Sequence, residues 1–291
     1  MKIFFPIVIV LLFAFPCGCE KTLTDSNLPY KEVLVIRGVV KAGDVLDSLY
    51  VGRTLPYEEQ INTTNQQLES WVKDANITVS EGSQIYTLKY YRNGLYRNDT
   101  LRIQTGKTYR LHVEWNGKIA NAVTMVPEIP ILDSVTAVSN VVETYEYGAD
   151  ETEYITHGYC RARKNEVFSF TTSLEITFFN PNSRPTTQTH IYGSDNVVAK
   201  RIQGDYSVAD VLKSKILSTI GVSQNATITN KKIICTLKCY DESFYKYYLT
   251  YGNNDENISL EPRPVAWNVT GDAIGMFIGT SESVLKSFTL Q

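Results

Sequence analysis

The sequence predicts a mostly β protein, with an N-terminal immunoglobulin-like β-sandwich followed by a second β-rich domain carrying one or two short helices. Three observations lead there. Nineteen tyrosines accompany abundant Thr, Val and Ile, residue types that suit a pleated, half-buried surface. Six or seven short strand-like runs fall within about 100 residues, the size of an immunoglobulin-like sandwich. Helical periodicity is confined to two short segments, both in the second half.

The chain opens Met1, Lys2, then IFFPIVIVLLFAF from Ile3 to Phe15. A basic residue before a short apolar run is the pattern of an export signal. The run is too short for a spanning helix, which needs about 20 apolar residues. PCGCEKT (16–22) follows, and its cysteines are open to three chemistries: disulfide, metal ligation or lipidation. Gly18 is the small residue before a cut, and Cys19 is the thiol that an acyl group would take. Residues 1–18 thus read as a lipoprotein signal peptide, with Cys17 lost along with it. Cys19 reads as the lipidated anchor, where each buried CH2 adds roughly 0.8 kcal/mol of membrane affinity.

Removal of 1–18 leaves 27 basic and 31 acidic residues, a formal charge of −4. No basic block stands out, so nucleic acid is not an expected partner. Residues 19–30 form a polar tether without periodicity. The sandwich is expected over 31–130. It begins at KEVLVIRGVV (31–40) and DSLYVGRTLP (47–56), and PYEEQINTTNQQLESW (56–71) reads as a long loop. ANITVSEGSQIYTLKYY (75–91) carries a hairpin signal at Glu81-Gly82-Ser83. In KTYRLHVEWNGKIANAVTMV (107–126), Tyr109, Leu111, Val113 and Trp115 alternate with Arg110, His112 and Glu114, and Asn116-Gly117 is a type I′ turn pair. VPEIPILDSV (126–135) reads as the connector.

The second domain is expected over 131–291. SFTTSLEITFFN (169–180) and HIYGSDNVVAKRI (190–202) read as strands. SVADVLKSKILSTI (207–220) fits a short helix, with Ser207 as cap and Val208, Val211, Leu212 and Ile216 on one face. IICTLKCY (233–240) is a strand that holds Cys235 and Cys239 on one face, about 13 Å apart at 3.3 Å per residue, too far to bond to each other. Cys160 either pairs with one of them or, the favoured reading, all three are buried thiols. DESFYKYYLTYG (241–252) is the clearest helix, with Asp241 as cap and Phe244, Tyr247, Tyr248 and Tyr251 at helical spacing. AIGMFIGT (273–280) and SVLKSFTL (283–290) close the chain as strands. The glycines of GDAIGMFIG (271–279) suit bulges or close approach to a neighbouring layer better than a membrane helix.

Several of these pieces, in this order, resemble a family of Bacteroidota lipoproteins, domain of unknown function 4249. They are Cys-Glu-Lys after the signal, VLVIRG, GRTLP, ANITVSEG, GKTYRLHVEWNGK, TMVPEIPILDSV, ESFYKYYLTY and LEPRPVAWNVTGDAIGMFIG. The resemblance is strongest at Gly106–Val135 and Glu261–Gly279. It implies an outer-membrane lipoprotein with an immunoglobulin-like first domain and genes that often adjoin those of TonB-dependent transporters. It carries over no catalytic residue, and the acidic stretch ETYEYGADETEY (143–154) departs from its pattern.

No catalytic motif is legible. His112, His157 and His190 are the only histidines, and HExxH, GxSxG and a mature CxxC are absent. His157 and Cys160 do not by themselves define a metal site. YGNNDENIS (251–259) and EYGADETE (146–153) read as solvated loops, and no cofactor is expected. Tyr57 and Trp71, in and beside the long loop, are the candidate ligand or partner contacts. Ser48, Thr100 and Ser134 each follow an Asp and precede an aliphatic residue, a weak O-glycosylation pattern. The expectation is a non-enzymatic outer-membrane lipoprotein. It would be an accessory, ligand-capture subunit of a TonB-dependent β-barrel transporter, handling a small-molecule or glycan ligand. The surface leaflet is slightly favoured, because Glu20 follows the anchor. The alternatives are a structural or adhesive envelope protein without a transporter and, more distantly, a glycan-acting enzyme.

Overall fold

The computed structural model describes residues 30–56, 70–143, 150–161, 167–179, 187–193, 199–201, 209–218, 227–252, 264–283 and 286–289. The signal segment, Cys19, Tyr57 and most of the long loop lie outside these residues. So do Ser207 and the greater part of YGNNDENIS.

The first half is a run of antiparallel strands: β1 (Leu34–Lys41), β2 (Val45–Arg53), β3 (Asn76–Glu81), β4 (Gln84–Thr87), β5 (Lys89–Arg92), β6 (Leu95–Arg102), β7 (Thr108–Trp115) and β8 (Lys118–Met125). The second half adds β9 (Ile131–Glu143), β10 (Asp150–Arg161), β11 (Val167–Phe179), β12 (Thr187–Gly193), β13 (Ala199–Arg201), β14 (Ala209–Ser218) and β15 (Thr227–Tyr240). Helix α1 (Glu242–Tyr247) and a π turn (Tyr248–Gly252) follow, then β16 (Val269–Gly271), β17 (Ala273–Glu282) and β18 (Lys286–Thr289). The protein is mostly β, with one short helical run among the described residues.

Two sheets enclose the first core. One contains β2, β1, β6 and β5; the other runs β16-β8-β7-β3-β4. Alternation decides which side chains meet. Leu34, Ile36, Leu49, Val51 and Tyr96 face Ile77, Val79, Tyr109, Leu111 and Val113, all buried to 1% exposure or less. Removing side chains of this size from water drives folding at about 25 cal/mol per Å² of apolar surface. The β7–β8 hairpin is closed by Asn116 and Gly117, both with positive φ (46° and 73°), as a type I′ turn requires.

The C-terminal strands complete these sheets. β16 pairs with β8, and β17 lies parallel to β1, from Leu34↔Ala273 to Lys41↔Thr280. A parallel neighbour needs a crossover connection, and here the chain between the two strands supplies it. Phe277 on β17 is fully buried, and its ring and the Leu49 side chain both close on Gly38, where no side chain intervenes. The far end of β17 pairs with β15 (Lys238↔Glu282 to Tyr240↔Thr280), so the same sheet continues into β11 and β12. A three-stranded sheet, β14-β10-β9, accompanies them.

A second core forms there. Phe168, Phe170 and Leu174 of β11, Ile233, Cys235, Leu237 and Cys239 of β15, and Cys160 of β10 are buried. The Phe170 ring lies over Gly158, where no side chain intervenes. The three cysteines are buried thiols rather than disulfide members, and burial pushes the Cys235 thiol up to about 12, which leaves it unreactive at neutral pH.

One helix expectation is overturned and one holds. SVADVLKSKILSTI does not form a helix: Ala209–Ser218 is strand β14, paired antiparallel with β10 from Ala209↔Arg161 to Ser218↔Thr152. Spacing of four, as between Leu212 and Ile216, puts residues on one face of a helix and also of a strand, so tertiary pairing decided between them. DESFYKYYLTYG is helical, with the Asp241 side chain accepting from Ser243 N as N-cap. Its last turn widens to π where the Thr250 hydroxyl enters the ladder, donating to the carbonyls of Lys246 and Tyr247 and accepting from Ala266 N.

Candidate functional site

At one end of the first sandwich the chain enters the fold, β2 finishes, β3 starts and the β7–β8 hairpin turns. A depression of about 470 Å³ opens there, lined by Asp74, Asn76, Glu114, Trp115, Asn116 and neighbours through Ile119. Its wall is Trp115, the last residue of β7. The alternation that points Tyr109, Leu111 and Val113 inward also points Trp115 inward, but the sheet ends beside it and the indole is left half-buried.

Two contacts fix that indole. Its Nε1 donates to Asp74 Oδ1 at 2.8 Å. Lys118 Nζ lies 5.4 Å from the ring centroid, within cation–π range. Lys118 also pairs with Glu32 Oε1 at 2.8 Å, and Arg53 pairs with the other Glu32 oxygen at 2.9 Å. The Lys118 hydrogen bond, followed by that of Arg53, holds the Glu32 carboxyl below its ordinary range against the opposing effect of burial. Asp74 is itself positioned by Tyr96 of β6. That buried hydroxyl donates to Val72 O and accepts from Ala75 N, so it pins both sides of residues 73 and 74.

A polar row runs from the depression across the outer face of the five-stranded sheet. Asn121 Oδ1 lies 2.8 Å from His112 Nδ1, and Glu114 Oε1 lies 3.0 Å from His112 Nε2. Both ring nitrogens meet acceptors, an arrangement only the imidazolium satisfies in full. The Asn121 contact first, and Glu114 second, raise the His112 pKa above its ordinary value. His112 in turn lowers the Glu114 carboxyl, which also takes a hydrogen bond from Asn76. The side chain of His112 is 40% exposed, so the row faces solvent, as its alternation with apolar neighbours predicts.

Of the residues singled out from the sequence, Trp71 lies at this same end, bridged to Gly52 of β2 and half-buried. Tyr57 falls outside the described residues. Ser48, Thr100 and Ser134 are all exposed, on β2, β6 and β9 respectively, and do not converge. The Thr100 hydroxyl donates to Asn98 Oδ1 at 2.8 Å. His157 and Cys160 stand an odd number of positions apart on β10, one half-exposed and the other buried, hence on opposite faces. Among the described residues no group of His, Cys, Asp and Glu is placed to hold a metal. The sequence signal missed was Trp115 itself. A Trp directly before an Asn-Gly turn stands where its own sheet can no longer cover it.

The family profile for a domain of unknown function (DUF4249) matches residues 21–285. The chain belongs to this family. No curated protein matches it. The match takes in both cores, the Trp115 depression and the strand pair β1–β17.

Proposed function

We propose that this DUF4249 protein is a lipid-anchored outer-membrane protein serving as a non-enzymatic, ligand-capturing accessory of a TonB-dependent β-barrel transporter. One observation carries the reading: the chain enters the fold at the end that bears the Trp115 depression. Glu32, two residues before β1, is paired to Lys118 beside the indole. Tyr30 is tied to the end of β2 through Thr54. If Cys19 is acylated, the ten residues from Glu20 to Pro29 cannot hold this end farther than roughly 35 Å from the lipid, at ~3.5 Å per extended residue. A built aromatic and charged face kept that near the membrane suits contact with a membrane-embedded partner and its cargo.

The test is a gentle detergent pull-down of C-terminally tagged protein from native envelopes, with Cys19→Ala as control. Recovery of a β-barrel transporter in near-equal amount, lost with Cys19→Ala, supports the accessory role. A wild type that stays membrane-bound without a barrel partner points to the structural or adhesive role instead. The same preparation addresses O-glycosylation at the exposed Ser48, Thr100 and Ser134, since a glycan mass shift lost on Thr100→Ala would support it. Unmodified peptides would remove it.

A further inference from the structure

We infer that the Trp115 depression binds one unit of a neutral, hydroxyl-rich ligand, a sugar, whose next units lie along the polar row of the outer sheet face. The inference rests on the ligand-capture part of the proposed function and names the ligand class.

Shape gives the first argument. A volume of about 470 Å³ falls within the range of small-ligand sites, about 300–1,000 Å³. Its apolar lining comes from the Trp115 indole on the inner side of the hairpin and from Ile119, 45% exposed, on the outer side. Asp74, beside the indole, and Glu114, Asn76 and Asn116 add carboxylates and amides to the lining. Adjacent ring hydroxyls both donate and accept, so they match a carboxylate beside an amide while C–H groups of the sugar rest on the part of the indole that Lys118 and the core leave exposed.

Charge gives the second. Each carboxylate already has an internal partner: Asp74 holds the indole N–H, and Glu114 holds His112 and Asn76. Lys118 takes the cation position over the ring. Glu114 and Lys118 are thus compensated from within, by His112 and Glu32, while Asp74 is held by a neutral donor, so an anionic ligand would meet two carboxylates. A neutral ligand needs only the lone pairs and N–H groups left over, including the Asn116 amide at the turn.

Pre-organisation gives the third. The indole is fixed by Asp74, Asp74 is framed by the Tyr96 hydroxyl, and the turn is fixed by Asn116 and Gly117. Little side-chain freedom remains to be lost on binding. Beyond the depression, Asn121 and His112 continue the row across β8 and β7, a flat polar track on which further units can lie.

Isothermal titration of the full chain in detergent tests this with malto-, cello-, xylo- and mannotetraose as probes and a tetra-arginine peptide as the charged control. At least one tetrasaccharide is expected to bind saturably. Trp115→Ala should weaken that binding at least about tenfold, as loss of a central aromatic contact does, while Trp267→Ala leaves it unchanged. Asn116→Gly keeps the type I′ turn and should weaken binding several-fold, so it decides the matter if Trp115→Ala fails to fold. No tetrasaccharide binding, binding only of the arginine peptide, or unaltered affinity in Asn116→Gly would overturn the inference. Failure here with a transporter still copurifying removes the sugar and spares the accessory role. Sugar binding without a transporter does the reverse.

Discussion

Gly275 occupies β17 at φ +134°, a backbone region closed to side chains, and a Cβ there would run into the Ile36 carbonyl of β1. The parallel pairing of β1 and β17 thus depends on a missing side chain. Gly275→Ala should cost more than about 3 kcal/mol, combining backbone strain of 1–3 kcal/mol with the displaced strand. Gly43→Ala is the contrast: φ is +87°, nothing lies within 4 Å, and only strain of about 1 kcal/mol is expected. Urea unfolding of both variants checks the pair, and equal midpoints would refute the argument. His112 offers a second test at this scale. Its raised pKa means that its contribution to stability is fully present below the unfolded value of about 6.5 and fades as pH rises through the higher folded value. Titration by NMR should place His112 above its ordinary value, with Asn121→Ala, then Glu114→Gln, bringing it back down. A wild-type His112 titrating at or below 6.5 would contradict the doubly accepted geometry. Residue-scale legibility follows range. Asn116-Gly117 was readable because a turn is local. The role of Trp115 was not, because its partner Asp74 lies 41 positions away.

Elements were legible where one period dominated. The β7–β8 hairpin alternates strictly and folds as read. β14 carries apolar residues at spacings that serve a helix and a strand alike, and only its pairing with β10, remote in sequence, resolves the ambiguity. α1 carried its own start signal in Asp241, but the structure gives that residue a second task. Oδ1 caps Ser243 N at 2.7 Å, while Oδ2 accepts from Met125 N at 2.9 Å at the end of β8. One side chain thus ties the helix to the first sandwich. Asp241→Ala loses both bonds and should destabilise by about 2–3 kcal/mol, a cap of ~1 kcal/mol plus a charge-assisted bond of ~1.5 kcal/mol. Asp241→Asn keeps one acceptor oxygen and should cost about half as much. A shift in denaturation midpoint at constant slope would show this, and equal costs for the two variants would argue against the double role.

At the scale of the whole molecule, the return of the chain end joins the two halves. β17 is hydrogen-bonded to β1 on one side and to β15 on the other. Lys41 of β1 and Lys238 of β15 both bind Glu282 of β17, at 2.7 and 3.1 Å. Gly279 N donates to the Thr124 hydroxyl of β8 at 2.6 Å, drawing the two sheets of the first core together. No local pattern announces such a pairing, since strands more than 200 positions apart leave no periodic trace of their partnership. A sandwich of 31–130 was what the strand count supported, and those residues alone lack β16, β17 and the buried Phe277. A fragment of 31–130 would therefore present the β1 edge bare, with part of its core facing water. It is expected to be unfolded or aggregated, whereas the same fragment joined by a flexible linker to residues 264–291 should regain dispersed amide resonances. The intact chain should unfold in one cooperative step, because β17 is hydrogen-bonded to a strand of each core. A well-dispersed spectrum from 31–130 alone, or two separated transitions in the full chain, would show that the first sandwich stands without the strand that closes it.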